Sequence, residues 1–437
     1  MIGKSLFFWT KLVFMRGCDM EYRSLSKIFY ADSSTERFAN NERLARERLE
    51  AESTFRTGVI GPNGEFFLAV PRELSTLCER VLRHERKISA GMRKLPPVAG
   101  SALVWGLVVD EVVSTNDLEG VHSTRRQIND LLGAMRERPA SQRSPRFMEL
   151  AKLYLGISDS ESGLPRTPED IRAIYDQVML GEELGDDETP DGKLFRSGGV
   201  DVIGHGGKVI HAGLEPEERI VETLGQMLSI MSSEEIPEVY SSVICHYLFE
   251  YIHPFYDGNG RTGRYLLALC LSRPLSVLTS LSLSRVIANH RDAYYRSFRE
   301  AGHKLNHGEL THFVINILED VREAQGELDT ALTEKMHRFD DMTERFDTFC
   351  AGSGADLCAK EAETMFMMAQ MELFAPFPDV TLSEVANHLG LSVQQTRRHT
   401  KGLEAHELIE TVSKRPLRFV LTNRARRELG LPNAAVV

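Results

Sequence analysis

The chain has 437 residues, of which 42% are hydrophobic, and its formal net charge is -11 at pH 7. A chain of this length exceeds one ordinary domain and has enough apolar residues to bury two or three cores. The negative charge excludes a protein that coats nucleic acid along its whole length. The charge is uneven, however, because residues 377–428 hold nine Lys or Arg against six Asp or Glu, a net +3 that leaves the rest at -14.

The first 19 residues are a doubtful N-terminal extension. The stretch 6–15 is apolar but is interrupted by Lys11, is too short to span a membrane and lacks a small-residue cleavage site. We predict that Met20 opens the protein, with a signal anchor as the alternative. The six cysteines form no CxxC pair. The cysteine pattern favours a reducing cytoplasm. Because the apolar stretch is too short to span a membrane, we expect no membrane partner.

Helical periodicity dominates the remaining sequence and predicts a mainly α fold. Proline pairs, glycines and apolar spacing predict helices over 71–92, from 103 to the segment STNDLEG, and over 125–136, 145–156, 168–180, 216–231, 239–251 and 310–349. Residues 195–211 alternate apolar and polar side chains around glycines, which predicts a β-hairpin.

The segment HPFYDGNGRTGR at 253–264 lies between two predicted helices and carries the most chemistry. His253 is suited to accept a proton from a hydroxyl, because the pKa of histidine is near neutral. Asp257 offers a hard oxygen ligand of the kind that Mg²⁺ takes. Gly258 and Gly260 let the backbone approach phosphates, and the N–H groups that open the next helix form an anion site.

Three polar side chains complete the segment. Asn259 is expected to add a side-chain donor, while Arg261 and Arg264 stand three residues apart, so that both guanidinium groups reach a polyphosphate. Each residue alone is explained equally well by pairing with a surface acid. The whole combination favours a nucleotide-phosphate site.

Every fixed position of the Fic family signature HPFx(D/E)GNGRxxR is filled by this segment, and the residues from Glu21 also resemble the start of bacterial Fic proteins. The resemblance implies a helical core with a β-hairpin flap and a protein adenylyltransferase that uses ATP and Mg²⁺. Such an enzyme moves AMP to a Tyr, Thr or Ser hydroxyl of a target protein, the enzyme itself included, and releases pyrophosphate. It also implies that Arg261 holds the β-phosphate and Arg264 the γ-phosphate. Family members with lysine after GN use other chemistry, but Gly260 fills that place here.

A second segment, Thr115 to Gly120, resembles the family's inhibitory motif (S/T)xxxE(G/N). The resemblance implies that Glu119 pairs with Arg264 and thereby withholds the cation that binds the γ-phosphate. A glutamate before glycine also occurs at ordinary helix ends. In some relatives the same glutamate supports removal of AMP, and the sequence leaves the two roles open.

The hairpin at 195–211 lies where family members carry a flap that pairs with the target by β-augmentation. Val200, Val202 and Ile203 are the candidate contacts with the target, and a hairpin without a partner is the alternative. His205 and His211 flank glycines without a third metal ligand nearby in sequence. We expect both to face solvent.

The C-terminal sequence predicts a short helix, a turn at 390–392, a second helix and a two-stranded wing, which resembles a winged helix-turn-helix. One hypothesis is a DNA-binding regulator acting through residues 377–428. Its side chains would be Gln394, Gln395, Arg397, Arg398 and Lys401 for a groove and Lys414, Arg415 and Arg418 for phosphates. The alternative is a module for protein docking or dimerisation, which keeps a homodimer open.

These patterns divide the chain into the extension at 1–19, an N-terminal region with the inhibitory helix at 20–140 and a catalytic core at 141–325. A helical connector and linker follow at 326–359, and a separate winged helix at 360–437. The chain has no GxxxxGK(S/T) and no HExxH sequence. These motifs of P-loop enzymes and of zinc hydrolases are therefore missing.

Overall fold

The computed structural model of the protein describes residues 22–134, 145–158, 163–185, 188–203, 209–352 and 356–432. Within these ranges the chain is mainly helical, which confirms the predicted fold class. The extension at 1–19 and the predicted start at Met20 lie outside the described residues.

The N-terminal part combines helices with one β-hairpin. Its elements are α1 (Leu25–Ala31), α2 (Arg37–Leu49), β1 (Thr54–Gly61), β2 (Gly64–Ala69), α3 (Arg72–Met92), α4 (Pro97–Leu118), α5 (Arg125–Ala134), α6 (Met148–Ser158) and α7 (Pro168–Val178). The predicted helices are all present. α4 is longer than expected, because Pro97 is tolerated in its first turn and the helix continues to Leu118, within the segment STNDLEG.

The hairpin of β1 and β2 is absent from the sequence-based prediction. The two strands pair antiparallel as far as Gly61 and Gly64. The signal was available, because Asn63-Gly64 between apolar runs is typical of a hairpin turn. The N–H of Phe67 in β2 donates to Gly308 O at 3.1 Å, and its carbonyl accepts from Leu310 N–H at 2.9 Å. The hairpin therefore anchors the chain just before the longest helix.

The central part carries the predicted flap hairpin and the motif. Its elements are β3 (Asp201–Ile203), β4 (Val209–Ala212), α8 (Glu217–Met231), α9 (Glu238–Ile252), α10 (Asn259–Leu271), α11 (Val277–Ser280), α12 (Leu283–Asn289), α13 (Arg291–Ala301) and α14 (Thr311–Ala351). α9 lies at the centre of the core and is buried around almost its whole circumference. A helix that is apolar on all sides is a core helix. The residue that ends α9 is therefore held by a rigid element.

The C-terminal part consists of α15 (Ala359–Phe374), β5 (Val380–Thr381), α16 (Leu382–Leu389), α17 (Val393–Ala405), β6 (Ile409–Lys414), β7 (Leu417–Leu421) and α18 (Asn423–Glu428). Its sheet has the order β5-β7-β6. Capping boxes start both α16 and α17, and Gly390 ends α16 with a φ of 64°. The predicted helix, turn, helix and hairpin are all present, while the assignment to the winged-helix class stays a prediction.

The expectation of a separate C-terminal module is wrong. Ile88 of α3 and Leu103 of α4 belong to the same hydrophobic cluster as Met365 and Met368 of α15 and Leu403 of α17. The C-terminal part therefore packs on α3 and α4 through a shared cluster, which is distinct from the larger cluster around α9 and α10. The predicted boundary between 325 and 326 also falls inside α14, which runs unbroken to Ala351.

One described helix, α4, is long and apolar enough by composition to cross a membrane. More than half of its apolar stretch is buried against other elements. Val108, Val109 and Val112 of this helix are fully buried. α4 is therefore a core helix of this fold.

Candidate active site

The motif is a loop between two core helices, as the sequence predicts. α9 ends at His253, which adopts a left-handed conformation with a φ of 51°, and its N–H donates to Phe249 O at 2.9 Å. α10 begins after Gly258, whose φ is 79°. A Cβ at Gly258 would also lie 2.5 Å from the sulfur of Met179. Both the conformation and the close contact require glycine here.

The side chain of Asn259 closes the loop with two hydrogen bonds to the backbone of Phe255. Its Oδ1 accepts from Phe255 N–H at 3.0 Å, and its Nδ2 donates to Phe255 O at 2.7 Å. One of the two N–H groups of the Asn259 amide is therefore used by the backbone, and its role as a donor to phosphate stays a prediction. Phe255 is itself buried and stacks on Tyr175 at 3.6 Å between ring centroids. Phe255 therefore fixes the loop through its buried ring as well as through its backbone.

A buried arginine that the sequence analysis does not identify also holds this loop, through hydrogen bonds to the backbone. Arg196 is fully buried, and its guanidinium donates to His253 O at 2.9 Å and to Leu214 O at 2.8 Å. Its hydrogen bonds therefore tie the end of α9 to the chain that leaves β4. No motif marks Arg196, because its acceptors are backbone carbonyls, which every residue carries.

His253 is held by the last turn of α9. Its Nδ1 lies 3.3 Å from Glu250 O and 3.9 Å from a carboxylate oxygen of Glu250. Burial lowers the pKa of His253 to about 4, although the Glu250 carbonyl opposes the shift. The expected near-neutral pKa is therefore wrong, and the ring is neutral at pH 7. With Nδ1–H donating to the Glu250 carbonyl, Nε2 keeps its lone pair and can accept a proton.

Arg264 lies in the second turn of α10, where it is buried, and it is bound by residues at the end of α4. Its Nη2 donates to Glu119 Oε1 at 2.6 Å, and its Nε donates to Thr115 Oγ1 at 2.8 Å. Thr115 and Glu119 stand four residues apart, so one face of α4 presents both side chains. Burial opposes the charge of Arg264, but the Glu119 carboxylate raises its pKa overall. The predicted contact between Glu119 and Arg264 is present.

Gly260 is the reason that Glu119 fits at this place. A Cβ on Gly260 would lie 2.1 Å from Glu119 Oε1 and 3.0 Å from Arg264 Nη1. The glutamate thus occupies the space directly above the first turn of α10. That space faces the N–H groups of the helix N-terminus, which attract anions.

Arg261 has different partners from Arg264. It donates to Glu182 Oε1 at 2.6 Å and lies 3.4 Å from Asp257 Oδ2, and only 2% of its side chain is exposed. The expectation that both arginines present themselves together to a polyphosphate is therefore wrong for this conformation. Asp257 remains 46% exposed, so it keeps a hard oxygen free for a cation.

Two buried acids near Arg264 also escape the sequence analysis. Burial raises the pKa of Glu250 to about 8 and that of Glu111 to about 7. Glu111 accepts from Ser284 N–H at 3.1 Å, while Oε1 of Glu250 is buried without a hydrogen-bond partner. The signal that could have found them is an acid inside an apolar helix, as in LVVDEVV and HYLFEYI.

Some of these residues line one cleft with a volume of about 1100 Å³, whereas Asp257, Arg261 and Glu111 are not part of its lining. The cleft contains His253, Gly260, Arg264, Glu119 and Glu250, and also Tyr294, Tyr295 and Arg291 of α13. Its volume is slightly above the range of about 300–1,000 Å³ that is typical of small-molecule sites, so a nucleotide fits within it.

The flap hairpin forms one wall of the cleft. β3 and β4 pair antiparallel, and the carbonyl of Val200 accepts from Gly213 N–H at 2.9 Å. Val200 lines the cleft. The side chains of Val202 and Ile203, as well as His205, lie outside the described residues. The expectation that His211 faces solvent is wrong, because its Nε2 lies 2.6 Å from Tyr251 O and its ring packs on Tyr251.

The basic residues of the C-terminal part fall into two groups. Arg418 is bound by Asp379 at 2.6 Å and is mostly buried, and Gln395 caps α17. Arg418 is therefore not a free cation, whereas Gln395 is exposed and stays a predicted contact. The remaining predicted contacts are exposed, namely Gln394, Arg397, Arg398, Lys401, Lys414 and Arg415.

Comparison with known proteins agrees with this geometry. Residues 165–271, which hold the flap and the motif, match the model of the Fic/DOC family. The chain is 40% identical over 72 residues to a probable protein adenylyltransferase of Aquifex aeolicus (strain VF5), covering 16% of this chain and 20% of that protein. It is 31% identical over 126 residues to the protein adenylyltransferase Fic of Drosophila melanogaster, covering 29% and 24%.

The matched segments thus span about a fifth to a quarter of these curated relatives. A crystal structure of a Fic family protein from Desulfovibrio desulfuricans G20 has a TM-score of 0.50 and 20% identity, and the match covers 81% of this chain and 97% of that one. This structural likeness extends the shared fold well beyond residues 165–271.

The raised pKa of Glu250 predicts a pH-dependent stability. Between the ordinary pKa of glutamate and about 8, the unfolded chain is charged at Glu250 while the folded chain keeps the proton. The free energy of unfolding therefore falls as the pH rises through this window. We expect Glu250→Gln to reduce this fall, measured by urea unfolding at pH 5 and pH 8.

The exposed Glu222→Gln serves as the matched control and should keep the wild-type difference. Any contribution of Glu111 is common to all three proteins. An equal fall in the wild type and in Glu250→Gln would contradict the assignment.

Proposed function

The chain is a Fic family protein, and we propose that it transfers AMP from ATP to a Tyr, Thr or Ser hydroxyl of a target protein. The observation that carries the proposal is the placement of His253 Nε2 and Arg264 on one cleft, at the two ends of the motif loop. A base and a phosphate-binding cation are the two groups that such a transfer needs most.

In the proposed reaction, the acceptor hydroxyl gives its proton to His253 Nε2 while its oxygen attacks the α-phosphorus of ATP. The bond between the α-phosphorus and the bridging oxygen to the β-phosphate breaks, and pyrophosphate leaves. The N–H groups from Gly258 to Gly260 stabilise the charge that develops on the α-phosphate. His253 starts neutral at pH 7 because burial lowers its pKa to about 4.

Two further contacts are proposed for the polyphosphate. Asp257 would hold Mg²⁺ through its exposed carboxylate, and the ion would neutralise phosphate charge during the transfer. Arg264 would bind the γ-phosphate and Arg261 the β-phosphate. Arg261 would then leave Asp257, the longer of its two contacts at 3.4 Å, and keep Glu182.

The resting protein is proposed to be autoinhibited. Glu119 forms an ion pair with Arg264, with 2.6 Å between Glu119 Oε1 and Arg264 Nη2. Its carboxylate lies over the first turn of α10, where the γ-phosphate would otherwise bind. Two anions at one site repel each other, so ATP binds unproductively until Glu119 moves. The flap hairpin, with Val200 on the cleft wall, would align the target segment, while Val202 and Ile203 stay candidate contacts.

The role of His253 is tested in the variant Glu119→Gly, in which Arg264 is free. Adding His253→Ala should lower labelling by α-labelled ATP by about 10²- to 10⁴-fold, because general-base catalysis contributes a factor of this size. The exposed His122→Ala in the same background is the matched control and should retain labelling. Labelling that persists in the His253 variant would reject this residue as the base.

The inhibitory role of Glu119 is tested by Glu119→Gly against the wild type. Self-labelling with ATP and Mg²⁺ should rise at least tenfold, because Arg264 loses the carboxylate that neutralises it. Asp117→Gly is the matched control, since Asp117 is exposed on the same turn of α4 and is also acidic. Equal labelling of wild type and Glu119→Gly, both shown to be folded by circular dichroism, would refute autoinhibition. A wild type that instead removes AMP from labelled protein would assign Glu119 to the reverse role.

DNA binding is a second candidate function, favoured by the exposed cations of α17 and of the wing. Arg397, Arg398 and Lys401 carry no ion pair among the described residues, and the same is true of Lys414 and Arg415. Unpaired cations on one helix and one hairpin suit contacts with phosphates.

The DNA hypothesis requires the whole chain, because the C-terminal part shares its core with α3 and α4. Replacing Arg397 and Arg398 by Glu should weaken binding to a random-sequence duplex at least tenfold at low salt in a gel-shift titration. The double change of Arg83 and Arg86 to Glu on α3 alters the charge equally and should leave binding unchanged. A wild type that gives no shift at low salt would favour protein docking instead.

A further inference from the structure

Three side chains of different chemistry converge where the C-terminal part begins. Cys358 caps α15, Glu361 lies in the first turn of α15, and His399 lies on α17. One ligand atom from each residue lies within 4.8 Å of the other two. We propose that Cys358, Glu361 and His399 bind a zinc ion, independently of the function proposed above.

The distance between the two softer ligands fits a shared ion. Cys358 Sγ lies 3.5 Å from His399 Nδ1. Zinc binds sulfur at about 2.3 Å and nitrogen at about 2.0 Å, so a tetrahedral angle places these two ligand atoms about 3.5 Å apart. The pair is thus already spaced for zinc, without any movement of the backbone.

Glu361 supplies the third ligand from the other side. Its Oε2 accepts from Cys358 N–H at 2.9 Å, which fixes the carboxylate, while Oε1 reaches the surface of α17. A Cβ on Gly402 would lie 1.8 Å from this Oε1. Gly402 stands one turn after His399 on α17, so the absence of a side chain there brings the carboxylate to the helix face that presents His399.

Helix capping alone does not account for this arrangement. Ser, Thr, Asp and Asn are the preferred N-cap residues, so a thiol at Cys358 has no advantage as a cap. Capping does not involve His399, whose Nδ1 lies within hydrogen-bond distance of the sulfur. A thiolate, an imidazole and a carboxylate together are ligands that zinc takes, whereas magnesium prefers oxygen ligands alone.

The ion would have three protein ligands and a water. Cys358 is exposed, so solvent reaches the fourth position. Binding displaces the thiol proton, and the thiolate and carboxylate then balance the two positive charges of zinc. Because the ligands belong to α15 and α17, the ion would link the start of the C-terminal part to the helix that carries the exposed Arg397 and Arg398.

The test uses the full chain, stripped with a chelator and titrated with Co²⁺ in place of zinc. Co²⁺ bound by a thiolate shows a sulfur-to-metal charge-transfer absorption. Co²⁺ bound by oxygen ligands alone, as in a site suited to magnesium, does not show it. We expect this absorption to appear with one equivalent of Co²⁺, to disappear on adding zinc, and to be absent in Cys358→Ser. That variant keeps a capping hydroxyl, so α15 should still form.

Cys350→Ser is the matched control, because Cys350 is also an exposed thiol and lies eight residues earlier in the chain. It should keep the absorption. His399→Ala should weaken zinc binding at least tenfold, whereas His406→Ala should not. The proposal is overturned if the wild type binds no cobalt or zinc, or if Cys358→Ser retains the cobalt absorption while it melts at the wild-type temperature in chelator.

Discussion

The arrangement of the site depends on one buried cation. Arg264 is 2% exposed and receives its charge balance from Glu119 alone among the described carboxylates within ion-pair distance. Removing the partner of a buried charge is destabilising, because the remaining charge is left without compensation. Arg264 is therefore stabilised by an anion beside it, and a carboxylate of the protein or a phosphate of a ligand can serve.

This requirement organises the elements around the motif. α4 must end at the mouth of the cleft, so that Thr115 and Glu119 face Arg264 from one side of the helix. α9 must be a rigid core helix, because it positions both His253 and the neutral acid Glu250. The apolar periodicity of α9 and the spacing within the motif are visible in the sequence. For this reason the helix-loop-helix could be predicted from the pattern, whereas the contact of Glu119 is implied only by the resemblance of residues 115–120 to the Fic inhibitory motif.

The remaining features depend on packing, which one sequence does not reveal. Burial lowers the pKa of His253. Arg196 donates hydrogen bonds to backbone carbonyl groups, which carry no sequence signal. Arg261 forms an ion pair with Glu182, an acid 79 positions earlier in the chain, and is not presented together with its neighbour Arg264. The C-terminal part appeared independent because its sequence signals are local, whereas the shared cluster joins residues more than 200 positions apart.

Gly260 gives the site a property of a different kind. Its missing side chain leaves room for Glu119 Oε1, so a single methyl group at this position would collide with the carboxylate at 2.1 Å. The proposed autoinhibition would therefore depend on two features, an acid on α4 and an empty volume on α10. The loss of a charge at position 119 and the gain of one carbon atom at position 260 are thus two unrelated changes that would each disturb the contact between Glu119 and Arg264.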